Sequence, residues 1–357
     1  MESKITALIV TYQRPKVLRR AILSVIEQTY KNVKICIFDD ASGDETKDIV
    51  SKLSQNDKRV SYHCHSKNIG ALANFRHAFE SVDTPYFSIL SDDDCLAMDF
   101  YENAIEVLDN NPKVMFVILN TLMIDKDSNL KSHVVSTNQL TLHSDIEGFD
   151  DFHSGKIPVT WTAMVFRKEL ADIYKEMDES IDIGHDIRFL VRAVSRHSYA
   201  YLSKVGAFFT QHSGSISSTI KKVDLVHQGV QISRYIEIFH DKSVKPGIKD
   251  RTIIYIQKLL TKKPDTKKSI IEIMKNFIEY SDIDNKKIKS NISDFQYAGF
   301  LKTSIFLRSF HENKFVRIFV ILIFGKFYKK RLIDNNNEML ALQNGIYKDY
   351  FEYIKKY

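Results

Sequence analysis

Cysteine is nearly absent from this chain: Cys36, Cys64 and Cys95 are the whole complement, an odd number with no CxxC pair. That excludes a disulfide framework and fits a reducing compartment. Long apolar runs are missing too. The most hydrophobic stretch, Phe315 to Tyr328 (FVRIFVILIFGKFY), is shorter than the roughly 20 apolar residues that span a bilayer. The opening MESKITALIV has neither the apolar core nor the small-residue cleavage site of a secretory signal. No GxGxxG follows the first apolar segment and no GxxxxGKS/T occurs, which disfavours a nicotinamide or flavin fold and a P-loop. The alternating ligands, central glycine and closing glutamate of an EF-hand are missing around the acidic runs. There is no internal repeat and no Ser-His-Asp order.

What remains is a chain of 357 residues, 44% of them hydrophobic, long enough for one large α/β domain and a smaller unit. Its charge is divided. Residues 1–220 hold 24 Lys and Arg against 30 Asp and Glu, a balance of −6, and residues 221–357 hold 27 against 15, a balance of +12. A basic C-terminal part suits an anionic surface, either lipid head groups or nucleic acid.

Ile5–Val10 reads as a buried strand, and Pro15 suits the first turn of a helix whose apolar face is Val17, Leu18, Ala21, Ile22, Val25 and Ile26. Strands are expected again at Val33–Phe38, Val60–Cys64, Pro85–Leu90 and Val114–Leu119, with helices at Gly70–Phe79 and Phe100–Leu108. This alternation predicts a mostly parallel, doubly wound sheet flanked by helices. Residues 120–160 are polar and weakly patterned, fitting a hairpin or a loop. Thr160–Phe166, Tyr199–Leu202 and Ala207–Thr210 read as strands and Ile187–Val194 as a helix. From Val223 onward the pattern is helical and Lys-rich.

Ligands of such sheets bind at the carboxyl ends of the strands, and three polar loops fall there. Asp92-Asp93-Asp94 ends an apolar strand. The triplet is either a solvated acidic turn or, as its place at a strand end favours, a metal–diphosphate site: adjacent carboxylates repel unless a cation neutralises them, and a hard divalent ion takes one or two carboxylates together with substrate phosphates. Asp39 and Asp40 end the second strand; they either cap the following helix or accept hydrogen bonds from a ribose or a base. Asp44 is the better placed cap, which leaves Asp39 or Asp40 for a ligand. Asp186 either caps its helix or serves as a general base toward an acceptor hydroxyl. Trp161, the only tryptophan, either stacks on an acceptor sugar or packs in the core. His63 and His65 share a strand face, but no third ligand stands near, and ordinary strand residues are the simpler reading.

Taken in order, ITALIVTYQRP (5–15), SVIEQTY (24–30), ICIFDDASGDET (35–46), KNIGALANFRHAF (67–79), PYFSILSDDDCL (85–96), GHDIRFLVRA (184–193) and FTQHSGSIS (209–217) resemble the family 2 glycosyltransferases of GT-A fold. The resemblance covers about residues 1–220 and says nothing firm of 221–357. It implies an inverting glycosyltransferase of the bacterial surface-polysaccharide type, using Mn²⁺ or Mg²⁺. Thr11, Tyr12 and Arg14 would line the nucleotide pocket, Asp40 would contact the base with Asp39 beside it, and Asn68 and Gly70 would shape the donor site. Asp92 would lie near ribose and metal. Asp93 would hold the metal with Asp94 in support, and His212, in the segment that closes over the diphosphate, would be a further metal ligand. Asp186 would be the catalytic base, with His185 toward the acceptor. Two departures stand out. The metal motif is SDDD rather than D-x-D-D, so which carboxylates touch the ion stays open, and His185 replaces the commoner glutamate.

These readings predict transfer from a nucleotide-sugar donor, UDP-sugar first, to a saccharide or lipid-linked saccharide. The protein would be cytoplasmic, or peripheral on the inner membrane face through 310–332, where an apolar segment is flanked by Lys326, Lys329, Lys330 and Arg331. A buried helix in a small bundle is the equal alternative for that segment. A sugar nucleotidyltransferase would need a glycine-rich loop where TYQRPKVLRR stands. A nucleic-acid-binding protein would not carry an acidic N-terminal half, so no nucleic acid is expected.

Overall fold

A computed structural model of the chain describes residues 3–132, 137–155, 157–177, 184–211, 234–235, 237–238 and 241–261. The expected alternation is present from the start: β1 (Ile5–Thr11), α1 (Pro15–Ile26), β2 (Val33–Asp39), α2 (Thr46–Asn56), β3 (Val60–Cys64), α3 (Ala71–Glu80), β4 (Tyr86–Ser91), a two-residue β5 (Cys95–Leu96) and α4 (Phe100–Asn110). Pro15 opens α1, as its fixed φ and missing N–H allow. Beyond these lie β6 (Phe116–Asp125), β7 (Leu130–Ser132), β8 (Leu140–His143), α5 (Asp145–Ser154), β9 (Met164–Arg167), α6 (Ala171–Lys175), α7 (His185–Arg196), β10 (Tyr199–Gln211) and α8 (Pro246–Thr261). Residues up to Ile253 belong to one compact unit, and 254–261 open a second.

The main sheet runs β3-β2-β1-β4-β9-β6-β10-β5, with β7 beside β6 and β8 beside β10. β3, β2, β1 and β4 are all parallel. β9 then enters antiparallel between β4 and β6, and β10 runs parallel to β6. The sheet is therefore mixed, its parallel block as expected and β9 the antiparallel strand inside it. The cause is β9, four residues introduced by a 3₁₀ turn over Trp161–Ala163 rather than by a crossover helix.

Strand periodicity divides the core. Ile5, Ala7 and Ile9 of β1 join Leu18, Ala21, Ile22 and Val25 of α1 and Phe100, Tyr101, Ala104 and Leu108 of α4 in one cluster. The alternate set, including Phe87 and Phe166, meets Phe79 of α3 and Phe189 of α7 in an aromatic cluster. The two short strands expected at 199–202 and 207–210 form one bulged strand, with register shifts on either side of Val205. Gly206 lies at this bulge: a Cβ there would stand 2.6 Å from Leu119 Cβ and 2.8 Å from Phe100.

Described residues between 234 and 248 pack on this unit. Arg188, Arg192 and Arg196 recur every four residues along one side of α7. Glu237 takes Arg188 and Arg192, and Asp241 takes Arg196. Ile238, Val244 and Ile248 are buried.

Candidate functional site

Register places the polar loops together. Thr11 pairs with Asp39 across β1 and β2, and Val10 pairs with Ser91 across β1 and β4. The strand order reverses at β1, so the crevice at its carboxyl end is the switch point of the sheet. Thr11 Oγ1 donates to Asp92 Oδ2 there at 2.8 Å. Arg14, at the entrance to α1, donates through Nη1 to Asp92 Oδ1 at 3.2 Å and Asp93 Oδ2 at 3.1 Å. The triplet and the 39–40 pair thus lie at one edge, as the sequence pattern required.

The three carboxylates of the triplet differ in their surroundings. Asp94 is fully buried; Oδ2 accepts from Thr162 Oγ1 at 2.7 Å and Oδ1 from the Thr210 backbone N–H at 2.9 Å. Burial raises its pKa to about 7, the neighbouring Asp93 adds to this, and the bonds from Thr162 and Thr210 oppose it. Asp94 therefore ties the β4 loop to β9 and β10. Asp92 is pushed up to about 6, by burial and by Asp93, against the pull of Arg14 and Thr11. Arg20 of α1 holds the loop from below, donating to the Asp93 carbonyl at 2.6 Å and to Thr210 Oγ1 at 2.7 Å.

Asp39 and Asp40, one of which was expected to be left for a ligand, both have partners within the chain. Asp39 Oδ1 accepts from the Ser42 N–H at 3.0 Å and from its hydroxyl, and Oδ2 accepts from Tyr62. Asp40 accepts from the N–H groups of Ile69 (2.7 Å) and Gly70 (3.0 Å), the orphan donors at the start of α3. Asn68 Oδ1 also accepts from Gly70, whose φ of +88° suits a glycine. Asp44 accepts from Thr46 N–H at 2.9 Å, one residue ahead of Glu45, which occupies the N-cap of α2. A carboxylate offers about four lone-pair sites; the Cys64 thiol at 3.6 Å makes a fourth donor to Asp39, whereas Asp40, with two, retains capacity toward a ligand. Gln13, at φ +53°, donates its N–H to Ser42 Oγ at 2.8 Å and joins the first two loops. Tyr12 beside it is 43% exposed.

Toward α7, Trp161 is only 7% exposed, ringed by Phe75, Phe79, His185 and Phe189; this is the packing alternative of the two read from sequence. His185 stacks obliquely on Phe75 at 4.7 Å. Asp186 is half-buried in the first turn of α7, and the buried Arg234 guanidinium lies in its electrostatic reach and against Gly184. A chain of contacts thus runs from the triplet to α7: Asp94 to Thr162, then Trp161, then His185 beside Asp186. His63 stacks on Phe38 and His65 bonds Asn74, which is structural use. His212 lies outside the described residues.

Sequence reading missed Thr162, Thr210, Arg20, Ser42, Tyr62 and Arg234. Thr162 sits next to a residue already singled out, and Arg20 interrupts an apolar helix face; the others carry no local signal.

Among the described residues no three His, Cys, Asp or Glu side chains form a metal-binding group. The donor chemistry still suits a divalent ion. Asp92 and Asp93 reach the crevice as two adjacent oxygen donors, the number Mg²⁺ takes when substrate phosphates complete its shell.

Residues 6–173 match the family model described as Glycosyl transferase family 2. The chain is 26% identical over 129 residues to the GalNAc(5)-diNAcBac-PP-undecaprenol beta-1,3-glucosyltransferase of Campylobacter jejuni, covering 36% of this chain and 40% of that one. It is 29% identical over 102 residues to glycosyltransferase GlyA of Streptococcus pneumoniae, covering 29% of this chain and 14% of that one. The chain thus spans less than half the length of these curated relatives. Among solved structures, S. aureus TarS 1–349 in complex with UDP-GlcNAc superposes with a TM-score of 0.60 at 16% identity, covering 72% of this chain and 73% of that one. The mannosyltransferase PcManGT from Pyrobaculum calidifontis, in complex with GDP-Man and Mn²⁺, gives 0.52 at 13% identity over 89% and 83%. Identities this low speak for the fold. Sheet order and family match agree: residues 6–173, just under half of the chain, match family 2 of the glycosyltransferases, and the sheet is that of a GT-A-like fold.

Proposed function

We propose that the chain is an inverting, metal-assisted glycosyltransferase that moves a sugar from a nucleotide diphosphate donor, UDP-sugar first, to a saccharide or lipid-linked saccharide in surface polysaccharide synthesis. The observation that carries this reading is the meeting of Thr11, Arg14, Asp92 and Asp93 at the switch point of the sheet. The UDP-GlcNAc bound by TarS and the undecaprenyl diphosphate named for the Campylobacter relative's acceptor support the substrate class.

Thr11, Tyr12 and Arg14 line the nucleotide pocket, and Asp40, with Asp39 beside it, keeps the Asn68–Gly70 segment in place and faces the base. Asp92 lies near the ribose. A Mn²⁺ or Mg²⁺ held by Asp93 with Asp92 would neutralise the leaving diphosphate. Asp94 acts by fixing the loop that presents both, and His212 is assigned to the diphosphate side. Asp186 accepts the proton of the acceptor hydroxyl; the new O–C1 bond forms as the C1–phosphate oxygen bond breaks, and the nucleoside diphosphate leaves with the electron pair. His185 sets the ring against which the acceptor approaches. Protein work occurs on the cytoplasmic face of the membrane, with 310–332, outside the described residues, as the contact.

The test is a nucleotide-sugar thermal-shift screen with Mn²⁺, followed by turnover of two variants. Asp186→Asn should lose transfer and keep donor binding; turnover at the wild-type rate places the base elsewhere. Asp93→Ala should lose metal-dependent donor binding, and retention removes the metal assignment. Vesicle flotation with and without 310–332 decides the membrane contact.

A further inference from the structure

Arg14 holds an unusual place for a residue that lines a donor pocket. One nitrogen, Nη1, donates to both Asp92 and Asp93, at 3.2 and 3.1 Å, while the side chain stays 33% exposed. The two carboxylates it bridges are 7% and 12% exposed and next to each other in sequence. Without a cation they would repel in a poorly solvated crevice. Arg20, the other arginine at this loop, is tied to the Asp93 carbonyl and Thr210 Oγ1 rather than to a carboxylate.

We propose that Arg14 is a resident counter-cation of the donor site, competing with the divalent ion for Asp92 and Asp93 until a donor diphosphate draws it away. The proposal rests on the reading of these two residues as the acidic pair of the donor site. The guanidinium occupies one oxygen of each carboxylate and its charge repels a second cation, so an ion arriving alone binds against two existing ion pairs. A diphosphate supplies the oxygen acceptors that arginine matches best, in bidentate geometry. The exposed side chain on a short loop has the freedom to exchange partners. Metal and nucleotide then favour each other's binding, and the effect is reciprocal by linkage. The site stays neutralised when empty and takes up the ion together with its substrate.

The experiment titrates Mn²⁺ into the full chain, following free Mn²⁺ by electron paramagnetic resonance, with and without UDP. Wild type should bind Mn²⁺ weakly alone and about tenfold or more tightly with UDP, within the usual range of linkage. Arg14→Gln should bind Mn²⁺ alone about tenfold tighter than wild type and gain little from UDP. Arg14→Lys keeps the cation and should keep the wild-type pattern, which separates charge from a folding defect. An Arg14→Gln protein with wild-type Mn²⁺ affinity and wild-type response to UDP overturns the proposal and leaves the metal reading standing. Absence of Mn²⁺ binding in all three proteins with UDP present overturns both.

Discussion

Glu237→Ala should destabilise the protein by about 3 kcal/mol, through a charge it leaves behind on α7. The Arg188 side chain is 0% exposed, and its Nη2 lies 2.5 Å from Glu237 Oε1. Arg192 meets the other oxygen at 3.0 Å. With charge centres about 4 Å apart and an effective dielectric near 20, such a pair is worth about 4 kcal/mol, offset by the desolvation of both ions. Removing one partner keeps the desolvation and loses the attraction, which typically costs about 3–5 kcal/mol. Glu237 is itself 17% exposed, so water entering the gap places the figure at the lower end. Glu237→Gln retains the shape and one acceptor and should cost about half as much. The double variant Arg188→Met/Glu237→Leu should recover most of the loss, because a buried pair replaced by apolar groups is often neutral. Urea unfolding followed by far-ultraviolet circular dichroism reads the midpoint, with an unchanged slope confirming the same transition. A Glu237→Ala midpoint within about 0.5 kcal/mol of wild type would refute the reasoning, since surface ion pairs contribute no more than that.

Two further outcomes follow from the same structure. Trp161→Ala should cost about 3–5 kcal/mol as a large core truncation, while Trp161→Phe should cost much less, because the indole N–H it removes is buried without a partner among the described residues; unfolding midpoints check both, and a Phe variant that keeps stability but raises the acceptor KM would restore a stacking role. Burial pushes Asp125 up, but hydrogen bonds from Lys131, Asn129 and Asp127 outweigh it and bring the pKa down to about 2. A folded-state pKa below the unfolded value gives stability above the unfolded pKa, near 4, that is lost as pH falls toward 2. Asp125→Asn should therefore cost up to about 1 kcal/mol at pH 7, after discounting for solvent at this shallow turn, and the gap to wild type should narrow between pH 5 and pH 3; a gap independent of pH refutes the assignment.

Much of the fold was legible because the information is local. Ile5–Thr11 and Val33–Asp39 are largely apolar runs rich in β-branched residues, and α1 repeats its apolar positions at helical spacing after Pro15. β9 shows where local reading ends. Nothing in TWTAMVF states that it lies antiparallel between β4 and β6; that follows from which strands it meets, Phe87 opposite Phe166 on one side and Phe116 opposite Phe166 on the other. The 120–160 segment resolves into the end of β6, two short strands and α5, whose pattern is weak because β8 has exposed leucines at 140 and 142.

The site divides in the same way. The residues at strand ends, Thr11, Asp39, Asp40 and Asp92 to Asp94, were found because a parallel sheet brings its carboxyl ends to one edge whatever the partners are. What those carboxylates do there depends on residues far along the chain. Asp94 differs from Asp92 and Asp93 because Thr162 and Thr210, separated from it by 68 and 116 positions, close around it. Three identical residue types in a row thereby acquire different functions: one buried brace and two crevice-facing acids bridged by Arg14. Sequence spacing cannot tell them apart, since the distinction is made by hydrogen-bond partners that fold topology alone supplies. The same logic links the triplet to α7, for Thr162 on Asp94 is followed in space by Trp161 and His185. A shift of β9 by one residue would exchange the roles of Thr162 and its neighbour, leaving Asp94 buried without its hydroxyl donor and moving the wall against which α7 presents Asp186.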